Sequence, residues 1–265
     1  MEIAIVLLGA VAWWFLDSQR SQTRERKNLK NLAVSLNVKQ ELEKHFEYYQ
    51  QLSPTNKLKF EKRVQSFINE KQFIPREYSH VSDEMKTLIA ASAIQLTFGF
   101  RHLNFVHFDK ILVYQDAYLS RVTNKHHEGE VHPGGVIVFS WRNFAKGYQD
   151  PDDGKNLGLH EMAHALQLEN AIENEEVGFI DRKAWRDFKS LALTEMEKMK
   201  RSNSNFFREY GASNLHEFFA VAVENFFERP LLFKSYSPYL FLSLSRVLKQ
   251  DIIRLLQLEN ESTKA

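Results

Sequence analysis

The chain of 265 residues contains no cysteine. Disulfides, a thiol nucleophile, cysteine-ligated zinc and iron–sulfur clusters are thereby excluded, so any metal must be held by histidines and carboxylates. Proline (6) and glycine (10) are scarce, which disfavours a turn-rich all-β protein and favours helices. Neither sign of charge dominates: 35 Lys and Arg against 34 Asp and Glu leave a formal net charge of +1. That balance excludes a disordered acidic tail and gives no general pull toward nucleic acid, so no nucleic-acid partner is expected. Phenylalanine, by contrast, is abundant at 21 residues within a 43% hydrophobic composition. Length and composition suffice for one sizeable domain with a largely aromatic core.

Residues 1–16 read MEIAIVLLGAVAWWFL, with Glu2 the only charge. No basic residue precedes the apolar run, as a secretory signal would require, and Trp13, Trp14, Phe15 and Leu16 prolong it past the small residues at 10–12. Arg20, Arg24, Arg26, Lys27 and Lys30 follow, which by the positive-inside rule places the rest of the chain in the cytoplasm. From Ile3 to Leu16 a helix would extend only ~21 Å against a hydrocarbon core of ~30 Å, although local thinning absorbs some mismatch. The expectation is a single-pass membrane anchor over 1–16, a basic juxtamembrane stem over 17–32 and the main domain over 33–265. A helix that packs on the body or lies in the interface is the competing reading.

Further along, periodicity predicts helices over about 31–51, from Ser53-Pro54 to about Asn69, and from Ser82 through Leu96. The period then changes. Residues 110–114 and 135–141 are β-branched and aromatic runs bounded by turn residues, and read as strands. A polar loop over 120–134, carrying His126, His127 and His132 as solvent-exposed residues, separates them. A second loop over 149–154 leads to helices expected at about 156–170, 181–201, 214–228 and 237–258. The predicted fold is α+β and mostly helical, with a small β-sheet and one main core that includes Phe218, Phe219, Phe226 and Phe227.

One segment carries chemistry. In Asn156-Leu-Gly-Leu-His160-Glu161-Met-Ala-His164-Ala-Leu-Gln167 the two histidines lie four apart, on one face of a helix, so both imidazoles can reach one tetrahedral Zn2+. Glu161 follows the first directly, where in this motif a carboxylate takes a proton from water and delivers it to a leaving amine. The remaining residues of the segment are mostly apolar and helix-favouring, so three polar side chains there are costly to bury without a function. Zinc hydrolases take a third protein ligand and leave the fourth position to water. No third histidine follows closely, so a carboxylate must serve. Glu173, Glu175 and Glu176 sit in a polar stretch. Glu217 lies in an otherwise almost wholly apolar helix and is the better candidate, with a capping box against Asn214 as its structural alternative. Glu224, seven residues on, shares its face as a supporting partner or rival ligand. Asp152 and Asp153, loop acids before the helix, are expected to cap it, with orientation of the histidines as the other reading.

The runs GGVIVFSWRNFAKGYQDPDDGKNLGLHEMAHALQ and YGASNLHEFFAVAVENFFERPLLF resemble the Mlc titration factor A family of zinc-dependent peptidases. QQLSPTNKLKFEKRVQSFI and VSDEMKTLIAASAIQLTFG, upstream, also resemble it; the likeness spans about Tyr48 to Leu248 and leaves the hydrophobic N-terminus outside. It implies a zincin-like metallopeptidase domain with His160, His164 and Glu217 as ligands, Glu161 as catalytic base and Tyr210 as a phenol stabilising the tetrahedral oxyanion. Aminopeptidase activity on small peptides is also implied. The family's founder binds a glucose-responsive transcriptional repressor, so a regulatory protein partner is a further implication, with no residues here on which to place it.

The leading expectation is a membrane-tethered zinc peptidase acting on peptide or protein substrates, with the 136–140 strand offering an edge to an extended peptide. Against it stand a membrane-associated regulatory or binding protein that keeps the fold and a metal with little turnover, and a membrane-surface adaptor acting through the basic stem.

Overall fold

The computed structural model describes residues 31–101, 103–120, 124–172, 178–201 and 206–258. The expected anchor over 1–16 and nearly all of the stem lie outside them, as do Glu173, Glu175 and Glu176. Among the described residues no helix is long and apolar enough to cross a membrane.

Helix α1 (Leu36–His45) starts at Ser35, whose hydroxyl accepts from Asn37 N. It stops at Phe46, where φ −124° and ψ 89° break the helix before α2 (Glu47–Gln50). The single helix expected over 31–51 is therefore two, because Phe46 turns inward and is buried. In α3 (Pro54–Glu70), Ser53 caps and Pro54 occupies the first turn as the sequence indicates. Its buried Arg63 reaches across to the carbonyls of Thr97, Phe100 and Leu103. That contact satisfies the C-terminal end of α4 (Asp83–Thr97). Nearly every residue of α4 is buried, the mark of a helix at the centre of the molecule.

The sheet has four strands in the order β1-β2-β6-β5. Strands β1 (Gln72–Pro75), β2 (Lys110–Tyr114) and β6 (Val136–Ser140) run parallel, and β5 (Gly129–His132) closes one side antiparallel to β6. A separate pair joins β3 (Tyr118–Leu119) to β4 (His126–His127). The region expected to be a loop over 120–134 thus holds β4 and β5. His126 is exposed as expected, but His127 and His132 are half-buried, and His132 sits 3.3 Å from Glu130. More consequentially, β6 lies inside the sheet between β2 and β5, so it offers no free edge. The edge beside the later helices belongs to β5.

Ser140 ends β6 and caps α5 (Trp141–Gln149), its hydroxyl accepting from Asn143 N. The helices that follow are α6 (Leu157–Ile172), α7 (Arg182–Arg201) and α8 (Leu215–Glu228), with a 3-10 turn at Glu209–Ala212. The expected 237–258 helix divides into α10 (Pro238–Leu248) and α11 (Ile252–Leu255), with Lys249 in a left-handed conformation between them, and α9 (Pro230–Tyr236) precedes both. Phe218, Phe219, Phe226 and Phe227 are core, as expected. They pack with Phe188, Phe207, Phe233 and Phe241 through ring contacts such as Phe207–Phe218 at 5.2 Å and Phe226–Phe241 at 5.1 Å between centroids. This aromatic mass holds α8 rigidly against α6, and that pairing builds the site.

Candidate metal centre

Helix α6 begins at Asn156, whose Oδ1 accepts from Leu159 N at 3.0 Å. The cap is therefore Asn156; Asp153 instead accepts from Lys155 N within the preceding loop. One turn on, His160 and His164 project from the same face, and their Nε2 atoms lie 3.1 Å apart. From α8 comes Glu217, with Oε2 at 3.1 Å from His160 Nε2 and 3.3 Å from His164 Nε2. Asn214 caps α8 by accepting from the backbone N–H groups of His216 and Glu217. The carboxylate of Glu217 turns to the histidines, so the capping-box alternative is not what directs its side chain.

These three atoms form a triangle of nearly equal sides. An ion with bonds of about 2.0–2.1 Å to tetrahedral ligands holds its donors about 3.3–3.4 Å apart, so the donor set fits zinc in number, type and spacing. The electrostatics agree. Burial alone would lower the His160 pKa, but hydrogen bonds to Glu217 and Glu224, with further attraction from Glu224 and Glu161, push it up to about 10. The pocket demands positive charge at that nitrogen, which a proton or a metal cation can supply. Burial would likewise raise Glu217, yet hydrogen bonds from His160 and His164 hold its carboxyl far below the usual carboxylate range.

Behind the triangle, His160 Nδ1 donates to Glu224 Oε1 at 2.6 Å. That hydrogen bond orients the ring and presents Nε2 to the centre. Glu224 is only 1% exposed and receives the Arg208 guanidinium on both oxygens, so its buried charge is compensated. Glu224 is thus a partner of His160, not a rival ligand. Arg208 is the residue sequence reasoning missed. Its signal was a buried acid in an apolar helix, which requires a cation somewhere, and an arginine two residues before Tyr210.

Glu161 is buried, and burial pushes its carboxyl up, partly offset by the two histidines. Gly129 of β5 leans on it: a Cβ there would lie 2.6 Å from both Glu161 Cγ and Oε1. Tyr210 in the 3-10 turn has its ring centre 6.2 Å from that of His160 and is 55% exposed. It is therefore no core residue, and burial together with the neighbouring Glu217 raises its phenol pKa. A cavity of about 380 Å3 opens beside the centre, lined by Val131, His164, Leu168, Asn214, His216 and Glu217. His216 joins its wall and meets Gln167 Oε1 at 2.8 Å through Nδ1.

A His-Glu-x-x-His helix met by a glutamate from a second apolar helix defines a protein of the metallopeptidase class. The chain belongs to the glucose-regulated metallo-peptidase M90 family, whose profile matches residues 20–249. It is 31% identical to an uncharacterized protein of Synechocystis, over 69% of this chain and 72% of that one. It is also 28% identical to Mlc titration factor A of Serratia proteamaculans, over 59% of this chain and 66% of the factor. With the factor of the same name from Escherichia coli O9:H4 the identity is 30%, over 48% of this chain and half the length of the relative.

Proposed function

We propose that this chain is a zinc-dependent peptidase in which His160, His164 and Glu217 hold the ion and Glu161 is the general base. The observation that carries the reading is the donor triangle with sides of 3.1, 3.1 and 3.3 Å, with a buried carboxylate one residue from its first member. When bound, zinc supplies Lewis acidity, making water acidic enough to lose a proton near neutral pH and polarising a carbonyl.

The chain's own groups do the rest. Glu161, whose desolvated pocket raises its proton affinity, takes the proton of the attacking water and passes it to the departing amine nitrogen. Glu224 keeps His160 in the tautomer with Nδ1 protonated, and Arg208 holds the Glu224 carboxylate in place from the other side. Tyr210 keeps its phenol proton and donates it in a hydrogen bond to the developing oxyanion.

Edge strand β5 supports the docking of an extended peptide. Ser140 N donates to Glu128 O at 2.7 Å, and the register pairs Glu130 with Val138 and Val131 with Ile137. Alternation of an antiparallel ladder then turns the backbone groups of Gly129 and Val131 away from β6, toward the open side. A substrate strand that pairs there passes Glu161 and the cleft.

Elemental analysis tests the ligand set: about one zinc per chain in the parent and a marked loss in Glu217→Ala. Glu161→Gln should keep the zinc and lose peptide hydrolysis; retained hydrolysis would refute the assignment of the base. Aminopeptidase action on short peptides is proposed from the family resemblance, and equal hydrolysis of N-terminally blocked peptides would contradict it. Residues 1–16 are proposed to tether the domain to the cytoplasmic membrane face, on the strength of the apolar run and the basic residues after it. Deleting residues 1–30 should release the chain from the membrane fraction, and unchanged partitioning would remove that proposal.

The relatives named Mlc titration factor A favour a second reading, a regulatory protein that binds a protein partner and turns over little. On that reading Glu161→Gln leaves the cellular role intact, whereas the peptidase reading predicts its loss.

A further inference from the structure

Two cavities meet around α11. One, of about 700 Å3, is lined by Lys234, Leu242, Arg246, Lys249 and Arg254 among others. The second, of about 510 Å3, shares Lys249, Asp251 and Arg254 and adds Lys59 from α3. Together they form a groove with five basic side chains and one acid, Asp251. One oxygen of that acid already accepts from Arg254 N at 3.2 Å, where it caps α11. Lys59 and Lys249 lie over the rings of Phe98 and Phe100. The guanidinium groups of Arg246 and Arg254 make no hydrogen bond or ion pair among the described residues. Asp187, on the neighbouring α7, feels the charge of Arg246 but pairs with Lys183 at 2.7 Å. A chain whose net charge is only +1 thus gathers cations here without the carboxylates that would neutralise them.

Apolar side chains stand beside these cations. Along α10, Tyr239, Leu242 and Arg246 follow at steps of three and four residues, so they share one helix face. Tyr239 is 76% and Leu242 47% exposed. An exposed face with an aromatic and an aliphatic residue beside a basic groove suits an anionic bilayer. The ring and methyl groups enter the headgroup region, while guanidinium and ammonium groups meet lipid phosphate. A soluble phosphate compound would use the cations and leave Tyr239 and Leu242 in water. The groove also lies near the point at which the proposed tether reaches the domain. Ser35 N donates to Gln65 Oε1 on α3, and Gln65 stands about 9 Å along that helix from Lys59.

We propose that the groove between α9, α10 and α11 is a docking surface for an anionic phospholipid bilayer. Arg246, Lys249 and Arg254 meet the lipid phosphates, and Tyr239 and Leu242 enter the headgroup layer. The tether would hold the chain at a membrane, whereas this surface sets which face of the domain meets it. Its charge and exposure stand without the tether.

The lack of cysteine allows a direct test. In the full, zinc-loaded chain, Tyr239→Cys carries an environment-sensitive nitrobenzoxadiazole dye, and Leu119→Cys, exposed on β3 outside the groove, carries it as the control. With vesicles of equal parts phosphatidylcholine and phosphatidylserine, the dye at 239 should brighten and shift to the blue, and the dye at 119 should not. Pure phosphatidylcholine vesicles, to which the tether alone would hold the chain, should leave the dye at 239 as in water. Arg246→Gln with Arg254→Gln should lower the ratio of docked to undocked chains about thirtyfold, which is about fivefold for each basic residue near an anionic surface. Both arginines are exposed, so the fold should stand. A dye at 239 that stays in water while the chain sediments with the vesicles overturns the proposal and leaves the tether standing. Brightening that survives in the double variant, or is equal on pure phosphatidylcholine, overturns it in favour of an apolar face only. Calorimetric binding of inorganic phosphate without a dye response would make this a small-anion site, and binding of polyglutamate without one an acidic-polypeptide site. A response confined to a chain ended after Leu258 would give the groove to residues 259–265, which carry Glu259 and Glu261. Each of those results also overturns the proposal. Should the tether reading fail instead, the dye at 239 still responds to phosphatidylserine.

Discussion

At the scale of single residues, the candidate centre depends on supports as much as on ligands. Gly129 has no side chain because Glu161 occupies the space a Cβ would need. Gly129→Ala should therefore displace the carboxylate while leaving the donor triangle alone. The expected outcome is full zinc content with turnover reduced about 10–100-fold, since a misplacement of about 1 Å is enough for such a loss; zinc analysis beside kcat checks it. Glu224→Gln removes the charge that orients His160 and should weaken zinc about 10–100-fold, measured by competition with a chelator. A different residue governs pH. Burial pushes Glu228 up to about 8 from the ordinary 4.5, so the folded state binds its proton more tightly than the unfolded chain does. The stabilisation from that proton is complete below about 4.5 and lost as pH rises through about 8. The parent's Tm should accordingly fall across that window relative to Glu228→Gln, and parallel profiles of the two would count against the assignment.

At the scale of elements, the mixed sheet decides where substrate can lie. Proline at Val138 would strike an interior strand that pairs on both sides. Val131→Pro removes only an N–H that faces the open side of β5, so the β5–β6 ladder survives. Zinc content and fold should persist while peptide hydrolysis falls sharply; undiminished hydrolysis would show that substrate does not pair with β5. A second element-scale dependence joins α4 to α10. A Cβ on Gly99 would lie 2.3 Å from the Lys249 carbonyl oxygen and 2.4 Å from that of Leu248. Neither can yield without moving the end of α10. Gly99→Ala should destabilise the fold by about 1–3 kcal/mol, read from denaturant midpoints.

At the scale of the whole molecule, the ligands come from two helices some fifty residues apart in the chain, pressed together by the aromatic core. A metal that binds only the folded arrangement stabilises it by mass action. Chelation should lower the Tm of the parent and added zinc should restore it, while Glu217→Ala should respond to neither. The α+β class, the main helices and two of the sheet's strands were legible because they rest on periodicity and caps within a few residues. The short strands β1 and β5 were not: four residues of QFIP or GEVH become strands only through their partners.

Helix geometry alone pairs His160 with His164 and sets Glu161 beside them, since residues four apart share one face whatever surrounds them. The sequence pattern also singled out Glu217, because a carboxylate in an apolar helix requires a reason. That Glu224 serves His160, that Arg208 pairs with Glu224, that Gly129 braces Glu161 and that β5 is the open edge follow from the folded chain and not from its pattern. Those relations arise where segments distant in the chain meet, and neither strand order nor the partner of a buried charge is a local property.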